Sequence, residues 1–274
     1  MFLSITAVLG NILILVALHK VSSLHPPSKL LFRCLATTDL CVGLITEPLS
    51  VVYWMFLTHG QYNLCRYAYV TVFIVSYTLC SVSLLTMSAI GVDRLLALLL
   101  GLKCRQVETL KRTYLIVAIF WIISVVTSVS FLRNYFVTLW YGYIVIALCL
   151  VTSIASYAKI FLKLRHHQIQ MEGHDQQEQP SQVNPPNIER YRKAVSSALW
   201  VQCILVARYL PYGTVRALFS YEDSSPSSFL FLGLAVSLIY LNSSLNPILY
   251  CWKISEVKQA VNETIREALC CLSS

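Results

Sequence analysis

The chain has 274 residues, of which 57% are hydrophobic and only 12% charged. A soluble domain of this length carries about 25% charged residues, so too few are present to coat a water-facing surface. The net charge of +8 does not point to nucleic acid, because the basic residues lie between apolar blocks and gather on no soluble face.

The apolar blocks fall at 1–19, 30–57, 66–98, 112–132, 136–164, 191–219 and 228–251. A helix needs roughly 20 apolar residues to cross a bilayer, and each block supplies about that many. The first starts at Met1 without a basic leader and contains Asn11, so it reads as a spanning helix. The second holds Asp39 at mid-depth within Leu-Ala-Thr-Thr-Asp, and Glu47 nearer its outer end. The third carries Ser76, Tyr77 and Ser83 and closes on Asp93-Arg94. The fourth holds Trp121, and the fifth has Tyr157 near its inner end.

Residues 166–190 are polar, with three prolines and many glutamines, a composition that predicts a flexible loop. The sixth block reads Arg208-Tyr209-Leu210-Pro211-Tyr212 and goes on to Arg216. The seventh holds Tyr240 and Asn242-Ser243-Ser244-Leu245-Asn246-Pro247-Ile248-Leu249-Tyr250. Pro211 and Pro247 each remove a helical hydrogen bond and permit a kink. Beyond them, Ile254, Val257, Ala260, Val261, Ile265 and Leu269 recur at helical spacing with charged residues between. This predicts an amphipathic helix on the membrane surface. The fold expected is an all-α seven-transmembrane bundle over 1–252, with that helix and a short tail at 253–274.

Seventeen of the 21 lysines and arginines lie on one set of connections and helix ends; Arg66, Arg133 and Arg216 mark the other, and Arg208 lies within a span. The positive-inside rule makes the richer side cytoplasmic, with the N-terminus outside and the C-terminus inside. Most of the ten cysteines sit in apolar blocks or on the cytoplasmic side, which argues against a disulfide framework. Cys270 and Cys271 follow the amphipathic stretch and suit palmitoylation.

A charged group inside the hydrocarbon is costly and marks function by default. Asp39 can find partners in Asn11, Ser83, Asn242, Ser243 and Asn246. A carboxylate with several neutral oxygens suits a hard cation such as sodium, with Asp39 and Ser83 as ligands, or a water cluster. The same residues serve equally well as interhelical hydrogen-bonding partners with no ion.

Taken in order, these landmarks resemble the rhodopsin-like (class A) G-protein-coupled receptors over essentially the whole chain. They are Gly10-Asn11, Asp39, Ser83 eleven residues before Arg94, Asp93-Arg94-Leu95, Trp121, Tyr157, Pro211 and Asn246-Pro247-Ile-Leu-Tyr250. The resemblance implies a sodium and water pocket at Asn11, Asp39, Ser83, Asn242, Ser243 and Asn246. It implies that Arg94, held at rest by Asp93, is freed toward Tyr157 and Tyr250 while the sixth span swings outward. Tyr209, Pro211, Asn246 and Pro247 would take part in that switch. The implied partners are a heterotrimeric G protein, a small-molecule or peptide ligand and membrane lipids, at the plasma membrane.

The chain also departs from that family. Leu95 follows the arginine, Tyr209 stands where the family has tryptophan, and Cys149 stands where the fifth span usually has proline. Tyr69 stands where most members have the disulfide cysteine at the top of the third span, and residues 132–136 offer no cysteine. These absences, with a short second outer loop, resemble the melanocortin, adenosine, cannabinoid and lysophospholipid receptor group. Ser76 replaces the aspartate of amine receptors, and Tyr240 stands where retinal-binding relatives have lysine, so no Schiff base is possible.

Ligand contacts are expected from Glu47, Ser76, Tyr77, Arg208, Tyr212, Arg216 and Tyr240, with the arginines favouring an anion. No two histidines share a membrane-depth helix face, which argues against an enzyme. One intramembrane aspartate without internal duplication argues against a channel or transporter. A receptor that has lost signalling is the other alternative.

Overall fold

The structure is a computed structural model that describes residues 2–21, 24–100, 109–174, 207, 209–216, 218, 226–253 and 255–273. Among these, six stretches are long and apolar enough to cross a membrane, all of them helical. In hydrocarbon every backbone donor and acceptor must be satisfied within the segment, and a helix does this alone. The first span is Phe2–Lys20 and the third Tyr62–Leu100; the fourth is Leu110–Ser130, the fifth Tyr135–His174 and the seventh Pro226–Lys253. Of the sixth span, the described part is helical across 209–216. The chain is thus an all-α seven-helix bundle, followed by the amphipathic helix Ser255–Ser273.

The second span is built in two pieces. Pro26–Cys41 passes into a π-helical turn at Val42–Thr46, and α-helix resumes at Glu47–Thr58. Pro48 explains the break: it has no N–H to donate, and its ring collides with the carbonyl four residues back in a regular helix. The wider turn relieves the collision, with the Glu47 amide reaching back to the Val42 carbonyl. The turn between the second and third spans runs through Gly60 at φ 69°, a left-handed conformation that costs glycine nothing.

The fifth helix corrects one expectation. It continues to His174, so the first part of the stretch expected as loop is helical. Residues 166–174 contain no proline, and Gln, Met and Glu support a helix that leaves the membrane. The prolines lie at 180, 185 and 186, in the part of that stretch outside the described residues.

Close approach of the first, second and seventh spans depends on two glycines. A Cβ on Gly10 would stand 3.0 Å from Cγ of Pro247, and one on Gly43 would stand 3.0 Å from Cβ of Ala7. Ser4 Oγ donates to the Gly43 carbonyl at 2.8 Å, across the same contact. Small residues at such crossings let backbones meet, which is how helices associate without a hydrophobic driving force. Gly43→Val should therefore destabilise the bundle by about 1–3 kcal/mol through overpacking. Thermal unfolding in detergent will read this as a lower midpoint than that of Gly43→Ser, which adds less bulk; equal midpoints for Val, Ser and wild type would refute the close contact.

The third and fourth spans are joined by hydroxyls. Thr78 Oγ1 and Ser128 Oγ lie 2.7 Å apart, and Ser124 Oγ donates to Ser81 Oγ at 3.0 Å. On its other side the fourth span exposes Leu115, Ile119, Ile122 and Val126, as a lipid-facing surface requires. The amphipathic helix turns Val257, Ala260 and Val261 into the core beneath the first span, and Lys20 pairs with Glu267.

Candidate functional site

The deepest polar cluster forms around Asp39, which is fully buried. Ser83 Oγ of the third span and Ser243 Oγ of the seventh donate to its Oδ1 at 3.0 and 2.9 Å. Asn246 Nδ2 donates to its Oδ2 at 2.7 Å. Hydrogen bonds to a charged group contribute about 1.5–3 kcal/mol each, while burying an ion costs several kcal/mol. Three donors are therefore of the order needed to hold a carboxylate at this depth. The cluster joins three spans, and one of its donors is the asparagine before Pro247, where the seventh helix lacks a backbone hydrogen bond.

Asn11 stands beside this group in a different role. Its Nδ2 donates to the Ala7 carbonyl at 2.8 Å and to the Ser243 carbonyl at 3.0 Å. Both amide hydrogens are thereby committed, and Asn11 ties the first span to the backbone of the seventh. Asn242 is buried one turn before Asn246. The side-chain oxygens of Asn11 and Asn246 are buried without a hydrogen-bond donor among the described residues. A carboxylate, hydroxyls and idle amide oxygens form the oxygen-only set that a hard monovalent cation or ordered water accepts.

Above the cluster lies a cavity of about 330 Å³. The structure brings Glu47, Ser76, Tyr77, Tyr212, Arg216 and Tyr240 together on its walls. Arg208 lies outside the described residues. Tyr209, which stands in the tryptophan position, also lines the cavity, and its hydroxyl donates to the Cys80 carbonyl at 3.4 Å. On the cavity wall, Tyr240 Oη lies 2.9 Å from both Ser50 Oγ and Ser76 Oγ, joining the second, third and seventh spans. Tyr77 donates to the Thr138 carbonyl at 2.6 Å, and Gly142 leaves room for its hydroxyl. Tyr143 reaches the Gly213 carbonyl at 3.1 Å, linking the fifth span to the sixth.

Sequence reasoning missed several wall residues, Trp54, Tyr69, Phe73 and Tyr141 among them. Tyr69 belongs to an aromatic ladder. Its ring centroid is 5.6 Å from Tyr53 and 6.2 Å from Phe131, and Phe131 stacks on Phe73 at 4.0 Å. Aromatic pairs contribute about 0.5–1.5 kcal/mol beyond area burial. The ladder fastens the cavity end of the third span to residues after the fourth. Cys65, one turn before Tyr69, is a buried free thiol.

At the end of the bundle away from the cavity, Ser28 Oγ donates to both carboxylate oxygens of Asp93, at 3.1 and 2.8 Å. Ser28 was not among the expected site residues. Asp93 is buried, so this hydroxyl fastens the third span to the start of the second. Tyr250 packs edge-on against Phe32 at 5.1 Å. Arg94 and Tyr157 lie on the helices of the third and fifth spans, but their side chains are outside the described set. Pro211 lies in the described helix of the sixth span. Cys270 is exposed on the amphipathic helix, and the Cys271 side chain is outside the described set.

Comparison with known proteins gives these positions a context. Adenosine receptor A3 of Ovis aries is 23% identical, with 99% of this chain and 90% of that receptor covered. The Canis lupus familiaris adenosine receptor A3 is 24% identical, with 99% and 91% covered. Trace amine-associated receptor 9 of Mus musculus is 24% identical, with 94% and 80% covered. The profile of the 7 transmembrane receptor (rhodopsin family) matches residues 10–135 and 130–250, which take in the Asp39 cluster, most of the cavity lining, and Asp93 and Tyr250. The chain belongs to the rhodopsin family of seven-transmembrane receptors, a family of receptors and not of enzymes.

Proposed function

We propose that this chain is a ligand-activated receptor that promotes nucleotide exchange on a heterotrimeric G protein through outward movement of its sixth span. The observation that carries this reading is the Asp39 cluster, where one carboxylate gathers donors from the third and seventh spans. Such a cluster couples helices. A change in the outer cavity that shifts the third or seventh span must rearrange these bonds, and the rearrangement reaches Asn246-Pro247 and Tyr250 below. A bundle of this kind is bistable, and an agonist acts only by binding one arrangement more tightly than the other.

Relatives named for adenosine and for trace amines support a small-molecule ligand. In this reading the cavity at Glu47, Ser76, Tyr77, Tyr212, Arg216 and Tyr240 receives it. Asp39, Ser83, Asn242, Ser243 and Asn246 hold a sodium ion in the resting form. Asp93, Arg94, Tyr157, Tyr209, Pro211 and Tyr250 work the inner switch. The N-terminus faces outward and the C-terminus the cytoplasm, where Cys270 and Cys271 carry palmitoyl groups.

The test is nucleotide exchange by the purified chain in lipid nanodiscs, against several G-protein subtypes and a small-molecule panel. The reading expects at least one compound to accelerate exchange on at least one subtype. Compounds that bind but accelerate no subtype would contradict it and leave a non-signalling receptor. Ion flux through vesicles without exchange would contradict it in favour of a channel or transporter.

A further inference from the structure

Among the described residues, the cavity is lined by one carboxylate and one guanidinium. Glu47 enters from the second span, just past the π-helical turn, and is 6% exposed. Its Oε1 has no hydrogen-bond donor among the described residues. Arg216 enters from the outer part of the sixth span, with its guanidinium 5.6 Å from the centre of the Tyr212 ring. Its Nε is buried and has no acceptor among the described residues. No ion pair joins Glu47 to Arg216 there; the one described salt bridge is that of Lys20 with Glu267.

Two opposite charges in one apolar chamber would ordinarily pair, because each alone carries a desolvation penalty of several kcal/mol. Here both side chains line a shared space walled by Tyr53, Trp54, Tyr69 and Phe73. We infer that the cavity recognises a small zwitterion with a flat aromatic body. Its ammonium lies at Glu47, its carboxylate lies at Arg216, and the ring stacks on the aromatic wall between them. Arginine offers a carboxylate two parallel N–H donors, and a buried glutamate offers an ammonium a charge partner without competition from water. The volume of about 330 Å³ lies at the small end for ligand sites, which suits a molecule of amino-acid size. Ser76 is neutral and bonded to Tyr240, so it supplies no counter-ion for an amine and leaves that role to Glu47.

This inference rests on the receptor reading for its purpose but is tested apart from it. The intact chain in nanodiscs is titrated with three indole probes: L-tryptophan, tryptamine with the cation alone, and indole-3-propionate with the anion alone. L-Tryptophan should bind at least tenfold more tightly than either, a difference of about 1.4 kcal/mol. Glu47→Gln should remove its advantage over indole-3-propionate, and Arg216→Gln its advantage over tryptamine. Thermal unfolding checks that both variants remain folded, and the ranking on wild type stands without them. Equal affinity for the three probes, no binding by any of them, or an advantage that survives both folded variants would overturn the inference. Nucleotide exchange is scored separately. Exchange with other compounds but no preference for L-tryptophan removes the ligand class and leaves the receptor reading in place.

Discussion

Asp39→Asn should abolish the effect of sodium on agonist affinity. The substitution keeps size and shape but removes the charge that Ser83, Ser243 and Asn246 surround at 2.7–3.0 Å. With the carboxylate present, sodium at ten times its Kd stabilises the form that binds it by about 1.4 kcal/mol. Coupling is reciprocal: an ion that favours the resting arrangement lowers agonist affinity by the factor by which agonist lowers its own affinity. Radioligand competition in sodium and in choline should therefore give displaced curves for wild type and superimposed curves for Asp39→Asn. The sodium-dependent rise in unfolding temperature should vanish with it. Displaced curves for the folded variant would mean that the ion acts elsewhere.

Arg94→Ala should suppress agonist-stimulated nucleotide exchange while leaving ligand binding and surface expression intact. The residue follows Asp93, whose carboxylate takes the Ser28 hydroxyl at the junction of the second and third spans. The reading assigns Arg94 to the inner cavity that receives the G protein, away from the ligand. Allosteric coupling between two sites is typically worth about 1–3 kcal/mol, or 5- to 150-fold. Exchange should fall by a factor in this range, with the agonist Kd in the absence of G protein unchanged. Ser28→Ala should lower basal exchange, because an Asp93 carboxylate released from the Ser28 hydroxyl holds Arg94 more firmly at rest. Full signalling by Arg94→Ala would take the arginine out of the mechanism.

Some of this was legible from residue order. The spans announce themselves because about 20 apolar residues in a row have few other uses. Asp39 stands out because an acid at mid-membrane needs a reason, and Asn246 and Ser243 are the polar residues at matching depth. Glu47, Ser76, Tyr77, Tyr212, Arg216 and Tyr240 share the outer half, and depth was enough to gather them around one cavity.

What stayed hidden depends on helix rotation and local distortion. Ser28 sits in Pro-Pro-Ser-Lys, which reads as a helix start and not as the anchor of an aspartate in another span. Pro48 was one proline among several, yet it is the one that opens a π-helical turn and sets the angle at which Glu47 enters the cavity. The Tyr53, Tyr69, Phe73 and Phe131 ladder joins residues whose spacing carries no common signal. Its place was visible only as a missing cysteine. The polarity of residues 166–174 marks the end of a membrane span in the sequence, but polarity does not end a helix.

The central claim is that binding in the outer cavity moves the sixth span at the inner face. The direct measurement is a spin-label distance between Ser197→Cys in the sixth apolar block of the sequence and Lys111→Cys at the start of the fourth span, with other reactive cysteines replaced. The receptor account predicts a longer distance population that grows with an activating ligand and dominates with nucleotide-free G protein bound. An unchanged distance distribution in the G-protein complex would contradict it.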